Sequence, residues 1–351
     1  MRFSIIIAAY NEEKNIRSCV ERIAQEFILD SEVIIVDDGS QDNTLDICHQ
    51  LEAEYDFVKV FHQANSGVAI ARNTGILKSS GEWITFVDAD DLVFCAGLEH
   101  LIDLSVQTGA NIGIGVQVSY DQYCEPQLEY HVYQGKELIK YLLNKKKYRK
   151  KLPATMHGCY GKVYKKNMAE KVMFIERLGL GEDMLFVLKM LELSKHVVIS
   201  NIPCYSVIAN PNSSTRRLNK EMPLFARAFI TELSKYICEE NDRNGINQEI
   251  YYQIFHHFDA GVGSYLCHIN NQMKWKEKVQ FCRAMAEECK MSEYCMKIDV
   301  TGDWLPLEEY YAIKYLAANK PNMYLLIRIF SSRKKQIKNK TKRIIQRWEK
   351  K

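Results

Sequence analysis

The chain has no Gly-x-Gly-x-x-Gly after its first apolar run and no Gly-x-x-x-x-Gly-Lys-Ser/Thr. It therefore lacks the turn that binds dinucleotides and the loop that cradles phosphates in P-loop enzymes. No apolar run reaches the roughly 18 residues that a membrane-spanning helix requires. Cysteine is present but unpatterned: eleven residues are scattered from Cys19 to Cys295 without one Cys-x-x-Cys pair. Neither a zinc site nor a disulfide framework is indicated, and these thiols read as small buried side chains of a reducing compartment. There is no internal repeat and no low-complexity linker. Met1 to Ala9 carries one basic residue and a very short apolar stretch before Tyr10-Asn11-Glu12-Glu13, so it reads as a first strand and not as a signal peptide. A cytoplasmic location is expected.

What is present fits a soluble globular protein. Hydrophobic residues make up 47% and charged residues 26% of the 351, which argues against disorder. That length is expected to hold two domains. The net charge of +3 hides an asymmetry: from Arg328 to Lys351 eleven Lys and Arg face the single Glu349, so everything before Arg328 is net acidic.

The first part alternates β-rich runs with helical patterns. Strands are predicted at Ser4 to Ala8, Glu32 to Val36, Val58 to Phe61 and Trp83 to Val87. Helices are predicted at Glu12 to Phe27, Asn43 to Glu54 and Val68 to Lys78. Near-continuous Ile and Val strands separated by amphipathic stretches specify an α/β sheet covered on both faces. In such sheets ligands bind at the carboxyl ends of the strands. A less regular section from about Asn111 to Thr215 has strands at Asn111 to Val118 and Val197 to Asn201, the run Met156 to Tyr164, and a helix opening at Gly181-Glu182-Asp183. Beyond about Asn219 only helical patterns remain, at Phe225 to Glu239, Gln248 to Cys267, Lys274 to Cys289 and Leu307 to Ala318. The expected division is 1–215, 216–327 and a basic tail at 328–351.

Three strand-to-helix junctions carry polar residues at one edge. At Asp88-Ala89-Asp90-Asp91 an apolar strand runs into three carboxylates. Asp88 and Asp90 point the same way in an extended segment, and their repulsion is relieved if a divalent ion or its waters lie between them. Oxygen-only ligation favours Mg2+ or Mn2+ over zinc. The competing reading is that these aspartates cap the next helix and stay solvated. At Asp37-Asp38-Gly39-Ser40 a carboxylate can accept a hydrogen bond from a ring N–H of a base, and Gly39 permits a turn; Ser40 or Asp42 as helix cap is the alternative. In Asn65-Ser66-Gly67 through Arg72-Asn73-Thr74-Gly75, Gly67 permits close approach at a helix start and Arg72 could reach an anion. Small residues at that place also let a helix pack closely on a sheet.

Together, Ser4 to Glu12, Val36 to Asp42, Asn65-Ser66-Gly67 with Ala71 to Gly75, Phe86 to Asp91, and Gly181-Glu182-Asp183 with Phe186 resemble the family 2 inverting glycosyltransferases of the bacterial polysaccharide and capsule type. The resemblance covers roughly residues 1 to 210. It implies a GT-A fold, which is a Rossmann-like mixed sheet with helices on both faces, here followed by a helical region. It also implies a nucleotide-sugar donor, usually carrying uracil, and a divalent metal. Carried over, Ala9, Tyr10 and Glu12 line the nucleoside pocket, Asp37 resembles the carboxylate that recognises the base, and Asp38, Gly67 and Arg72 match neighbouring donor positions. Asp88 and Ala89 lie near the donor ribose and sugar, Asp90 resembles the metal ligand, and Asp183 resembles the general base, with Glu182 a positioning or acceptor-binding neighbour. Carboxylates in a helix's first turn are also favoured by the dipole alone. The usual proline before the Tyr-Asn pair is replaced by Ala8-Ala9, and the late segment Tyr205 to Thr215 departs from the family pattern, so it assigns no third metal ligand.

The tail has its own design. Phe330, Ile337, Thr341, Ile344, Ile345 and Trp348 fall on one helical face and basic residues on the rest, as suits an interfacial helix on anionic lipid. A solvated terminus or a nucleic-acid contact is the alternative reading, but nucleic acid is not an expected partner. The expected function is transfer of a sugar, from a UDP-sugar, to a hydroxyl of a glycan or lipid-linked glycan in surface polysaccharide synthesis, at the inner face of the cell membrane. A homo-oligomer is left open. The alternatives are a nucleotidyltransferase acting on sugar phosphates, which would want a Gly-rich, lysine-bearing first loop, and a degenerate protein that binds nucleotide-sugar without turnover.

Overall fold

A computed structural model describes residues 2–26, 30–118, 128–144, 147, 156, 158–208, 219–237, 246–268, 270–301 and 304–332. The chain divides into two compact units, Met1–Ser213 and Ser214–Lys351.

The first unit is built on one mixed sheet. Its first half comes from β1 (Phe3–Ala9), α1 (Ile16–Gln25), β2 (Ser31–Asp37), α2 (Thr44–Glu54), β3 (Val58–His62), α3 (Val68–Lys78) and β4 (Trp83–Asp88). The strands are parallel in the order β3-β2-β1-β4. β1 and β2 are buried almost throughout, which is why their Ile and Val runs are continuous rather than alternating. Alternate residues nonetheless serve different faces. Phe3, Ile5 and Ile7 join the core formed with α1 and α2, whereas Ile6 on the opposite face meets α3 so closely that a Cβ on Gly75 would sit 2.2 Å from its Cγ2.

Register sets the edge. Ala9 pairs with Asp37, Asp37 with His62, and Ala8 with Asp88. The carboxyl ends of β1, β2, β3 and β4 therefore stand level, and Asp37 and Asp88 flank Ala8 and Ala9.

The sheet continues through β5 (Leu92–Val93), α4 (Cys95–Thr108), β6 (Ile112–Gln117), β7 (Tyr130–Tyr133), α5 (Gly135–Leu143), β8 (Lys162–Lys165), α6 (Lys166–Val172), α7 (Glu182–Leu193) and β9 (Val197–Ser206). β8 is inserted antiparallel between β4 and β6, and β6 pairs parallel with β9. β9 also takes β7 and β5 antiparallel, near its two ends.

Some expectations are corrected. α1 begins at Ile16 and not at Glu12, because Asn11 is left-handed (φ 57°) and Glu12 O accepts from Asn15 N and Ile16 N in a preceding turn. β9 extends past Asn201 to Ser206 because Val93 and Leu92 pair with Tyr205 and Ser206. The sequence reading has no element between Val87 and Asn111, where β5 and α4 lie. Asp91 does not cap a helix: a short strand follows it, and α4 opens only at Cys95.

The second unit is helical in its described residues, at Met222–Ser234, Ile246–Phe258, Ser264–Cys267, Trp275–Glu288, Met291–Met296, Leu307–Ala317 and 321–332. A π-turn at Asp259–Gly263 joins the second to the third. Its Asp259 is buried, accepts from the Tyr324 hydroxyl (2.8 Å) and pairs with Arg328 (2.7 Å). Arg328, counted above with the basic tail, is thus tied into this unit. Residues 333–351 lie outside the described residues, as do 209–218 of the altered late segment.

Candidate active site

The carboxyl edge is assembled from loops knitted across β1 and β2. Asn11 N donates to Ser40 Oγ (3.0 Å), Gln41 N to Asn11 Oδ1 (2.8 Å), and Glu12 N to Thr44 Oγ1 (2.8 Å). Asp42 is not the helix cap, which is Asn43; one residue earlier, it accepts the N–H (3.0 Å) and the hydroxyl (2.5 Å) of Thr44, the first residue of α2. Ala9 is buried and takes the Asp38 N–H on its carbonyl (2.8 Å), while Tyr10 stands 43% exposed above the edge.

The adjacent aspartates do different work. Asp37 is fully buried; its Oδ2 accepts from His62 Nδ1 (2.8 Å) and Ser40 N (3.3 Å), but its Oδ1 has no hydrogen-bond donor. A buried acceptor left unsatisfied costs on the order of 1–3 kcal/mol. A ring or amide N–H brought by a ligand would satisfy it. Asp38, in contrast, is saturated from within: Gln63 Nε2 (2.8 Å) and Ser66 N (2.9 Å) bind Oδ1, and Gly67 N (2.8 Å) binds Oδ2. It shapes the loop that leads into α3, whose N-cap Gly67 has φ 93°, a value that only glycine adopts without strain.

Arg72 lies on the buried side of α3 with its side chain 8% exposed. Its Nη2 donates to Asp88 Oδ1 (2.9 Å) and its Nη1 to Glu182 Oε1 (3.1 Å). Burial opposes its charge, but Cys159, Asp88, Glu182 and Asp183 around it more than offset this and hold its pKa well above the ordinary arginine value. Each terminal nitrogen thus gives one of its two N–H groups to a carboxylate, and the two carboxylates offset the charge of the buried guanidinium.

The Asp88-Ala89-Asp90-Asp91 turn is closed by Asp91 N on Asp88 O (3.0 Å) and pinned by Tyr205. The Tyr205 hydroxyl accepts from Asp88 N (3.0 Å) and donates to buried Asp91 Oδ2 (3.0 Å), and Ile208 N donates to Asp91 Oδ1 (2.8 Å). Tyr160 stacks on Tyr205 at 4.6 Å. Asp88 and Asp90 are half-buried, and Ala89 between them is buried. Negative charge is concentrated here. Glu12 is pushed upward by burial and then by Asp90, Asp42 and Asp88. Asp91 is pushed up to about 6, by burial first and then by Asp88 and Asp90, against the hydrogen bonds from Ile208 and Tyr205.

Such a set suits a hard divalent cation such as Mg2+ or Mn2+. Among the described residues, no three of His, Cys, Asp and Glu converge as a metal-binding cluster. Two carboxylates are enough where waters and phosphate oxygens complete the shell.

Asp183 occupies the first turn of α7, half-buried, with Met184 N on its Oδ1 (2.7 Å). Glu182 beside it is 14% exposed; burial and then Asp183 push its pKa upward, while Arg72 pulls it back.

The structure thus brings Ala9, Glu12, Asp37, Asp38 and Gly67 into one linked set of loops, and Asp88 and Glu182 onto Arg72. His62 and Phe174 are parts of the site with no place among the sequence motifs, while Tyr160 and Tyr205 lie in segments singled out in sequence that gave neither of them a role. His62 could have been found from the carboxyl-edge rule, since it ends β3 beside Asp37. Tyr205 had no such signal, because it reaches the turn from 114 residues beyond Asp91.

Residues 4–172 match the family model described as Glycosyl transferase family 2. The chain is 28% identical over 225 residues to the glycosyltransferase GlyA of Streptococcus pneumoniae, covering 61% of this chain and 32% of that protein. It is 31% identical over 219 residues to the uncharacterized glycosyltransferase EpsJ of Bacillus subtilis, covering 60% and 62%. The matched part thus spans about a third to under two thirds of these relatives. Among solved structures, S. aureus TarS in complex with UDP-GlcNAc superposes with a TM-score of 0.65 at 18% identity, over 95% of this chain and 92% of that one. The mannosyltransferase PcManGT of Pyrobaculum calidifontis, in complex with GDP-Man and Mn2+, gives 0.51 at 13% identity, over 93% and 85%. The carboxyl edge of β1 to β4 lies within residues 4–172, the part of the chain that matches glycosyl transferase family 2.

Proposed function

We propose that this chain is an inverting glycosyltransferase that moves a sugar from a nucleoside-diphosphate donor, best a UDP-sugar, to a hydroxyl of a glycan or lipid-linked glycan in surface polysaccharide synthesis. The observation that carries it is Asp37: a fully buried carboxylate at the strand edge, with one oxygen anchored and the other lacking a donor. A uracil ring N–H would supply the missing bond once binding uncovers that oxygen, which solvent does not reach in the structure. Exposed Tyr10 offers an aromatic face beside that pocket, with Ala9 and Glu12 as its wall, and Asp38 holds Gly67 in place. The UDP-GlcNAc bound by TarS fits this choice of donor.

Asp88 and Ala89 face the donor sugar in this reading, and Asp90 is the direct ligand of Mn2+ or Mg2+. A bound divalent ion supplies positive charge to the departing diphosphate. Asp183 takes the proton of the acceptor hydroxyl, which attacks the anomeric carbon from the face opposite the leaving group, so that one base suffices and no nucleophilic Ser or Cys is needed.

No helix among the described residues is long and apolar enough to cross a membrane. Exposed Leu326 and Phe330 lead into the basic segment after residue 332, which supports peripheral attachment to anionic lipid at the inner face of the cell membrane. The test is a donor screen: thermal stabilisation by UDP-, GDP- and dTDP-sugars with Mn2+, then UDP release from those that bind. Stabilisation by UDP-sugars is expected, and no shift with any donor would remove the reading.

A further inference from the structure

Arg72 connects parts of the fold that are far apart in sequence. Its fork reaches Asp88 at the end of β4 and Glu182 at the first residue of α7, 110 positions away. The same two elements are joined by an aromatic cluster. Phe86 of β4 meets Phe186 of α7 edge-on at 5.6 Å, Phe186 stacks on Phe174 at 4.1 Å, and the Arg72 guanidinium lies over the Phe174 ring at 5.4 Å. Asp90 follows Asp88 by two residues, and Asp183 follows Glu182 by one. Whatever holds Asp88 against Glu182 therefore fixes the metal turn against the helix end that bears the base.

We propose that Arg72 is a positioning residue, spanning Asp88 and Glu182 so that the donor turn and the Asp183 carboxylate keep one fixed relation, and that Glu182 is its anchor and not an acceptor ligand. This rests on the function proposed above. A planar guanidinium can satisfy two carboxylates in different directions at once, whereas the single ammonium of lysine is a point charge without that fork. Arg72 touches neither donor nor acceptor in this assignment. Its loss should slow turnover and leave nucleotide affinity nearly unchanged, because interactions that set the geometry of reacting groups act on kcat.

The experiment compares the full-length wild type with Arg72→Lys, Arg72→Gln, Glu182→Gln and the Arg72→Gln/Glu182→Gln double variant. UDP affinity is measured by calorimetry with Mn2+, and kcat and KM are measured for UDP release from UDP-glucose, UDP-galactose and UDP-GlcNAc. The expected result is a kcat about 10- to 100-fold lower in each single variant, a UDP Kd within about 3-fold of wild type, and a double variant no slower than the worse single one. Glu182→Gln keeps the shape but removes the charge that pairs with the buried guanidinium, so it reports on the ion pair even where an Arg72 variant folds poorly. A UDP Kd weakened by the same factor as kcat/KM would make Arg72 a donor contact and overturn the proposal. Multiplying effects in the double variant, or an unchanged kcat in folded single variants, would overturn it as well. A wild type that neither binds UDP nor releases it from any of these donors would instead strike the function itself, before Arg72 is at issue.

Discussion

The side-chain amide of Asn73 exchanges two hydrogen bonds with the backbone of Phe174, 101 residues later: Nδ2 donates to Phe174 O (3.0 Å), and Phe174 N donates to Oδ1 (2.7 Å). Asn73 mimics a strand partner and clamps the segment before α7 onto α3. Both backbone groups are buried, so Asn73→Ala strands a donor and an acceptor at once. A loss of about 2–4 kcal/mol is expected, read as a lower urea midpoint with an unchanged slope. Stability within 0.5 kcal/mol of wild type would mean that water replaces the amide there.

Asp37→Asn tests the nucleoside pocket. His62 Nδ1 and Ser40 N require an acceptor at the Oδ2 position, so the new amide places its oxygen there and its NH2 where Oδ1 stands. The pocket then offers a donor to a ring N–H. UDP affinity should fall about 10- to 100-fold, the equivalent of roughly 1.4–2.8 kcal/mol. Folding stability should fall by about 1–3 kcal/mol, because an unsatisfied buried NH2 replaces the unsatisfied oxygen and the bonds from His62 and Ser40 lose their charged acceptor. Equal affinity by calorimetry would remove Asp37 from base recognition.

The parallel half of the sheet is legible in sequence because its strands are buried on both faces and its helices alternate with them; α3 has the expected limits, Val68–Lys78. The antiparallel half is less so. β5 has two residues and β7 has four, and both exist only because β9 is there to pair with them. The site divides the same way. Residues carried by a strand end, such as Asp37 and Asp88, are marked by position, while Asp91 looks like a helix cap until Tyr205 of β9 and Ile208 just beyond it bond to its carboxylate. Arg72 is legible as a polar residue in a small-residue helix, but its two partners are not, since neither Asp88 nor Glu182 bears a spacing relation to it.

Glu32 gives the fold a defined acid limb. It is buried in β2, takes the hydroxyls of Ser4 and Ser80 and the Ser80 N–H on Oε1, and pairs with Lys59 on Oε2 (2.7 Å). Burial alone would raise its pKa, but Lys59, Ser80 and Ser4 outweigh burial and lower it from 4.5 to about 2. A carboxylate depressed in the folded state stabilises fully above its unfolded pKa and loses that contribution as pH falls through the folded one. The window is therefore about pH 4.5 to 2, worth on the order of 3 kcal/mol at neutral pH with about half gone by pH 3. Glu32→Gln should lose about 2–3 kcal/mol at pH 7 and clearly less at pH 3. Equal losses at both pH values would show that shape, not ionisation, sets its contribution.

The basic segment should be separable from the helical unit only after residue 332. Arg328 is three-quarters buried or more and bonded to Asp259, which also holds the Tyr324 hydroxyl, so cutting before it strands a buried carboxylate. Removing one partner of such a pair costs about 3–5 kcal/mol. Deleting 333–351 should therefore leave the melting temperature intact while abolishing sedimentation with vesicles containing phosphatidylglycerol. Deleting 328–351 should lower the melting temperature as well. Unchanged vesicle binding by the shorter deletion would withdraw the membrane assignment.

Asp183 and Glu182 are adjacent carboxylates in one helical turn, and the proposed chemistry requires only one of them as base. Glu182 is committed to Arg72 and largely buried, whereas Asp183 is bonded to its own helix through Met184 N at Oδ1 and is more open. Asp183→Asn keeps that bond and the shape but cannot take a proton. UDP release or transfer should fall about 10²- to 10⁴-fold, the usual range for removal of a general base, with UDP affinity and melting temperature unchanged. Asp183→Glu keeps the basic group one methylene out of place and should recover part of the rate. If Asp183→Asn retains more than a tenth of wild-type turnover, the proton goes elsewhere, and the base must be sought among the other carboxylates of the edge.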